Sequence, residues 1–95
     1  MAEITQNNGE KFGEFSARYE GERAGVLQYE WLDENTFNIA HTEVEDHFEG
    51  KGIGKDLVTS AVEFARKDGK KIRATCPFAK SVLEKDASTH DVFSA

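Results

Sequence analysis

The sequence predicts a mixed α/β fold in which an antiparallel β-meander is followed by β-α-β-α, and three observations predict it. Residues up to Val44 alternate apolar and polar side chains with period two, the pattern of half-buried strands. Residues from Ile53 repeat with the period of a helix, and a glycine-rich turn separates the two regimes. A chain of 95 residues has room for one hydrophobic core, so residues 1–95 are read as a single domain with a radius of gyration of about 12 Å.

Asn8-Gly9 is a tight-turn signal joining a short strand around Ile4 to the run Phe12 to Glu20, where Phe15, Ala17 and Tyr19 alternate with Ser16, Arg18 and Glu20. Gly21 turns the chain into a strand in which Leu27, Tyr29 and Trp31 alternate with Gln28 and Glu30. Asp33 to Asn35 turns it again, and Thr36 to Val44 continues the alternation, which puts His41 and Glu43 on the face of Phe37 and Ile39. On a wheel of about 100° per residue, Ile53, Leu57, Val58, Ala61, Val62, Phe64 and Ala65 share one half-turn, and charged residues fill the other. Gly69 stops this helix, and Ile72 to Cys76 reads as a short buried strand. Pro77 suits the first turn of a second helix carrying Phe78, Val82 and Leu83 on one stripe. Strand-helix-strand units cross over right-handedly, so the strand at Ile72 is expected parallel to Thr36–Val44 in a mixed sheet. Asp86 to Ala95 carries no pattern that assigns it.

Twelve Lys and Arg against 18 Asp and Glu give a net charge of −6, which works against binding a nucleic-acid backbone or an anionic membrane. No apolar run approaches the roughly 20 residues of a membrane helix, and Met1 to Gly9 has no signal pattern. The lone cysteine, Cys76, has no partner for an intramolecular disulfide, so a cytoplasmic location is the expectation; the sequence leaves the oligomeric state open, a monomer being slightly favoured. Positive charge gathers at Lys51, Lys55, Arg66, Lys67, Lys70, Lys71 and Arg73, where an anionic small molecule would be received.

The chemically informative stretch runs from Val44 to Gly54, a strand end followed by Gly50, Gly52 and Gly54 at the start of the first helix. Without Cβ atoms, these positions let an anion approach free backbone N–H groups and the positive end of the helix dipole. A Walker loop would need Ser or Thr after its Gly-Lys, and Asp56 follows Lys55; a dinucleotide fingerprint would need glycine where Lys55 stands. His41, His47 and His90 lack metal-ligand spacing, so no metal site is expected.

The frame Glu49-Gly50-Lys51-Gly52-Ile53-Gly54 after Val44 resembles the acetyl-CoA loop of the GNAT superfamily of N-acetyltransferases, in which Arg or Gln precedes two variable residues and then Gly-x-Gly/Ala. The resemblance is close over Val44 to Asp68 and holds in outline for the order of elements. His41-Thr42-Glu43-Val44 and Cys76-Pro77-Phe78 resemble signatures of a minimal single-domain subgroup of predicted acetyltransferases. Two departures stand out: Glu49 replaces the usual Arg or Gln, and the N-terminal helices that shape the acceptor site of larger members are not represented.

The resemblance implies a GNAT-like fold in which the strands ending at Val44 and Cys76 splay apart. It implies acetyl-CoA as co-substrate, with the pantetheine arm in that V and the pyrophosphate on the N–H groups from Gly50 to Gly54. Val44, Glu49, Gly50, Lys51, Gly52, Ile53, Gly54 and Lys55 are then the binding residues, with the two lysines adding charge. The residues independently place a ligand there, since the helix start near Ile53 lies at the carboxyl end of a strand beside a parallel one. Transfer to an amine needs an oxyanion donor, for which backbone N–H near Val44 is the candidate, and a base, for which Glu43 or His41 is the candidate. Each also has an ordinary partnered role open to it. Cys76 is open between donating a proton to the departing thiolate, taking the acetyl group itself, and packing as a small buried residue. The acidic composition favours a cationic acceptor such as a protein lysine, an N-terminus or a polyamine. Two other readings stand beside transfer: a CoA-binding sensor or partner module, and a structural domain whose glycines only turn the chain.

Overall fold

The computed structural model describes residues 2–94. Its order is β1 (Glu3–Asn8), β2 (Phe12–Tyr19), β3 (Glu22–Trp31), β4 (Thr36–Val44), a 3-10 turn (Asp46–Phe48), α1 (Ile53–Asp68), β5 (Lys71–Ala74), α2 (Pro77–Lys85) and a second 3-10 turn (Ala87–Thr89). The five strands form one sheet in sequence order, antiparallel from β1 to β4 and parallel between β4 and β5, which bears out the mixed α/β expectation. The radius of gyration is 12.4 Å. Among the described residues no helix is long and apolar enough to cross a membrane.

Alternation determines which side of the sheet meets the helices. Phe15, Leu27, Tyr29, Phe37 and Ile39 project towards α1, whose Leu57, Val58, Ala61, Val62 and Ala65 are buried against them. Phe64 of α1 closes the cluster, its ring 5.7 Å from Phe37, 6.1 Å from Phe15 and 6.1 Å from Trp31. Burying these aromatic and branched side chains, each worth about 1.5–3 kcal/mol, is the main force holding helix to sheet. Tyr29 reaches through this cluster, and its hydroxyl donates to Asn8 Oδ1 and accepts from Gln6 Nε2, both at 2.8 Å. Burial pushes its pKa up, while the Gln6 bond pulls the other way.

The structure departs from the expected alternation inside β4. Gln28 pairs with His41 and Tyr29 with Ile39, so Ala40 is an extra residue, a β-bulge. Past it the strand has rotated by one residue. Thr42 and Val44, directly opposite Leu27 and Gly25, face the helices. His41 and Glu43 therefore lie on the other face from Phe37 and Ile39, contrary to the sequence expectation.

Three boundaries also differ. β3 begins at Glu22, because Glu20 and Gly21 (φ 51° and 84°) make a two-residue left-handed turn that brings it against Tyr19 at once. β5 ends at Ala74, not at Cys76: the amides of Thr75 and Cys76 both bond to Ile39 O at 3.1 Å, and Cys76, held extended before Pro77, becomes the N-cap of α2. The unassigned stretch after Asp86 lies against β5, with Phe93 bridged parallel to Ile72 and with Val92 and Phe93 buried. Arg66 secures it through two bonds to the Asp91 carboxylate and one to Ser88 O.

Candidate functional site

β4 and β5 pair for only four residues, from Thr36↔Lys71 to Ile39↔Ala74. Beyond the bulge β4 continues to Val44 while the other arm turns into α2, so the two arms part. Between them, on the helix side, opens a pocket of about 450 Å³ lined by Thr42, Val44, Phe48, Glu49, Gly50, Gly52, Ile53, Gly54, Lys55 and Phe78. That volume is in the range of small-molecule sites.

The glycine loop forms one wall of it. Gly50 (φ 82°) and Gly52 (φ 77°) are in left-handed backbone, and a Cβ at either would meet nothing within 4 Å. These two glycines are therefore set by backbone conformation and face open space. Gly52 is the N-cap of α1 and, lacking a side chain, makes no capping bond, so the first N–H groups of a 16-residue helix are free for a ligand. Gly54 differs: a Cβ there would stand 2.8 Å from Phe78 Cζ and 2.9 Å from Cε2. Its missing side chain accommodates the Phe78 ring, where the sequence suggested room for an anion.

Of the predicted binding residues, Val44, Glu49, Gly50, Gly52, Ile53, Gly54 and Lys55 line the pocket together. Lys51 does not; its ammonium lies 5.2 Å from the centre of the Tyr19 ring, towards the β2–β3 turn. His41 and Glu43 pair with each other at 3.7 Å on the open face of the sheet, each more than half exposed. Cys76 is buried behind the pocket wall, and its thiol donates to Thr42 Oγ1 at 3.6 Å. Thr42 thus connects the buried thiol to the pocket.

Thr42, Phe48 and Phe78 are lining residues that sequence reasoning missed. Uninterrupted alternation puts Thr42 on the wrong face, and only recognising the bulge recovers it. Phe78 was expected on the buried stripe of α2, but that stripe is Ala79 and Leu83, and Phe78 is 45% exposed at the pocket mouth.

The fold that carries this pocket has counterparts in known proteins. The sequence profile of the GCN5-related N-acetyl-transferases matches residues 14–92. The chain belongs to the GNAT family. Among its relatives, protein NATD1 of Xenopus tropicalis is 34% identical over 85 residues, covering 87% of this chain and 77% of that protein. A GCN5-like protein of Staphylococcus aureus, determined in solution by NMR, superposes with a TM-score of 0.75 at 39% identity, covering 98% of this chain and 88% of the other. The GNAT fold alone is shared with the ribosomal-protein-alanine N-acetyltransferase of Brucella melitensis, at a TM-score of 0.72 and 21% identity over 83% of this chain and 63% of that one.

Proposed function

We propose that this GNAT protein transfers an acetyl group from acetyl-CoA to an amine. The observation that carries the proposal is the coincidence, in one pocket, of an uncapped helix start, two left-handed glycines and the end of β4 beyond its pairing with β5. The co-substrate supplies an activated thioester; this chain's residues hold it and manage the protons. The amides following Gly50 and Gly52 suit the pyrophosphate, with Lys55 adding charge, and the β4 edge from Ala40 to Val44, unpaired towards β5, suits the amides of pantetheine. Phe78 packs against the apolar part of that arm, and backbone N–H in the same stretch serves the oxyanion.

His41 and Glu43 lie on the side of the sheet away from the pocket, where an amine can enter the V without displacing CoA. They are the groups placed to accept its proton, directly or through water. Cys76 is the proton source for the departing thiolate, acting across Thr42. Burial of Cys76 and the absence of a carboxylate other than Glu49 among the pocket residues favour a second reading, a CoA-binding module without transfer.

Titrating CoA into labelled protein tests the first half, with the Gly50 to Gly54 amides expected to shift most. Shifts confined to β1 and β2 would refute the site. Amine-dependent release of free CoA thiol, followed at saturating acetyl-CoA, then separates transfer from binding.

A further inference from the structure

Lys55 of the glycine pocket also faces a second cavity. Its volume is about 390 Å³, and it is lined by Lys55, Val82, Lys85 and Asp86, between the first turn of α1 and the last turn of α2. Phe78 at the mouth of the first cavity and Val82 in the wall of the second are four residues apart on α2, so they stand one above the other about 6 Å apart along its axis. Lys85 continues the same stripe by one further turn. With Lys55 common to both linings, the two cavities adjoin and make a trough from the end of β4, past the start of α1, into the groove between the helices. On the other side of the loop Lys51 is drawn to the Tyr19 ring, so of the two loop lysines it is Lys55 that leads to further space.

The groove has a definite chemistry. Asp86 is the acid of its lining, and that carboxylate is turned to Ser88, whose N–H and hydroxyl donate to Oδ1 at 3.0 and 2.6 Å. These bonds hold the Asp86 carboxyl below its ordinary 3.8, and the charges of Lys55 and Arg66 add to the effect, so the field of Lys55 reaches this cavity as well as the first. Among the described residues neither Lys55 nor Lys85 has a carboxylate at ion-pair distance. On a chain of net charge −6, two uncompensated ammonium groups over a cavity are a local attraction for an anion that the rest of the surface repels.

We propose that this groove takes the 3′-phosphate of coenzyme A, held between Lys85 and Lys55 with the ribose against Val82, so that the protein distinguishes CoA from its 3′-dephospho form. This deepens the CoA reading above and rests on it. The 3′-phosphate is joined to the pyrophosphate through a single ribose, and Lys55 stands three residues past Gly52, about 4.5 Å of helix rise beyond the amides assigned to the pyrophosphate. A phosphate monoester carries a charge of about −1.5 to −2 near pH 7 and offers three acceptor oxygens, which lets two ammonium groups bond it at once.

Isothermal titrations of the protein with CoA and with dephospho-CoA at low salt test the site. CoA is expected to bind about five- to tenfold more tightly, the gap narrowing at high salt. Lys85→Gln, exposed on the last turn of α2, is expected to weaken CoA about three- to fivefold and to leave dephospho-CoA unchanged, whereas Lys55→Gln weakens both. In isotope-labelled protein followed by NMR, CoA is expected to shift the amides from Val82 to Asp86 as well as those from Gly50 to Gly54, and dephospho-CoA only the latter. Equal affinity for the two coenzymes, equal loss of both in Lys85→Gln, or no response from Val82 to Asp86 overturns the 3′-phosphate site and leaves the glycine pocket standing. If neither coenzyme binds, the CoA reading itself fails and this site falls with it.

Discussion

Gly54→Ala isolates what the third glycine of the loop is for. Alanine is better than glycine inside a helix by about 0.5–1 kcal/mol, so propensity alone predicts a more stable protein. Against this, the new methyl would stand 2.8 and 2.9 Å from two atoms of the Phe78 ring, closer than real contacts allow. The ring is 45% exposed and can swing out, but doing so forfeits its packing, about 1–1.5 kcal/mol for a phenyl group half buried. The two terms nearly cancel, leaving a net loss of about 0–1 kcal/mol, or a melting-temperature decrease below about 8 °C for a domain of this size. In a Phe78→Ala background the clash is gone and the same substitution should raise the melting temperature by a few degrees, roughly in line with helix propensity. Thermal melts of the four proteins of this cycle measure the coupling. Equal effects of Gly54→Ala in both backgrounds would refute the assignment of the missing Cβ to Phe78.

Three further outcomes follow from the geometry. Lys55→Glu should weaken CoA binding about fivefold at low salt, and less at high salt, while Lys51→Glu, whose wild-type ammonium is drawn to Tyr19, should change it little; equal losses in an isothermal titration would contradict that ranking. Because the Cys76 thiol is buried with its hydrogen on Thr42, no hydroxylamine-sensitive acetyl adduct should accumulate on it in acetyl-CoA, and Cys76→Ser should retain more transfer than Cys76→Ala; an adduct found by mass spectrometry would establish the covalent route. Hydrogen bonds from Arg66 hold the Asp91 carboxyl below its ordinary 3.8, so this contact stabilises the fold above that value and is lost as pH falls through the lowered one. Protection of the Ser94 amide, which bonds Ile72 O, measured relative to its intrinsic exchange rate at each pH, should therefore fall on acidification, and Arg66→Gln should remove that dependence; protection unaffected by the variant would dissociate the pair from the segment it is said to hold.

The change of hydrophobic period between Val44 and Ile53 was enough to read the order of elements and the parallel crossover, because each half buries one face and each face repeats at a characteristic spacing. The loop was legible for a related reason: Gly50 and Gly52 occupy backbone that other residues avoid, so their identity records their conformation. The bulge was not legible. Ala40 carries no side-chain signature, and one extra residue in a strand leaves composition unchanged while inverting everything after it, so His41 and Glu43 exchange faces with Thr42 and Val44. Lys51 was assigned by sequence proximity to the loop, which cannot anticipate that a ring from β2 competes for the ammonium. The segment containing Val92 and Phe93 escaped because two apolar residues are too few to show a period.

The strip of chain around Phe93 has a consequence for how copies of this protein meet one another. A sheet ending in a bare strand offers unpaired N–H and C=O groups as a template for another chain. Here the outer rim of β5 is partly spoken for: Ile72 N–H bonds Val92 O at 2.7 Å, and Ser94 N–H bonds Ile72 O at 3.1 Å. The opposite rim, β1, has no such cover among the described residues, and its polar Thr5, Gln6, Asn7 and Asn8 give a stacking neighbour little apolar surface to adhere to. The molecule therefore guards its two margins by different means, self-pairing at one and wettability at the other. Loosening the Arg66 clasp would turn the guarded margin into the adhesive one, so filament-like growth at low pH should begin at β5.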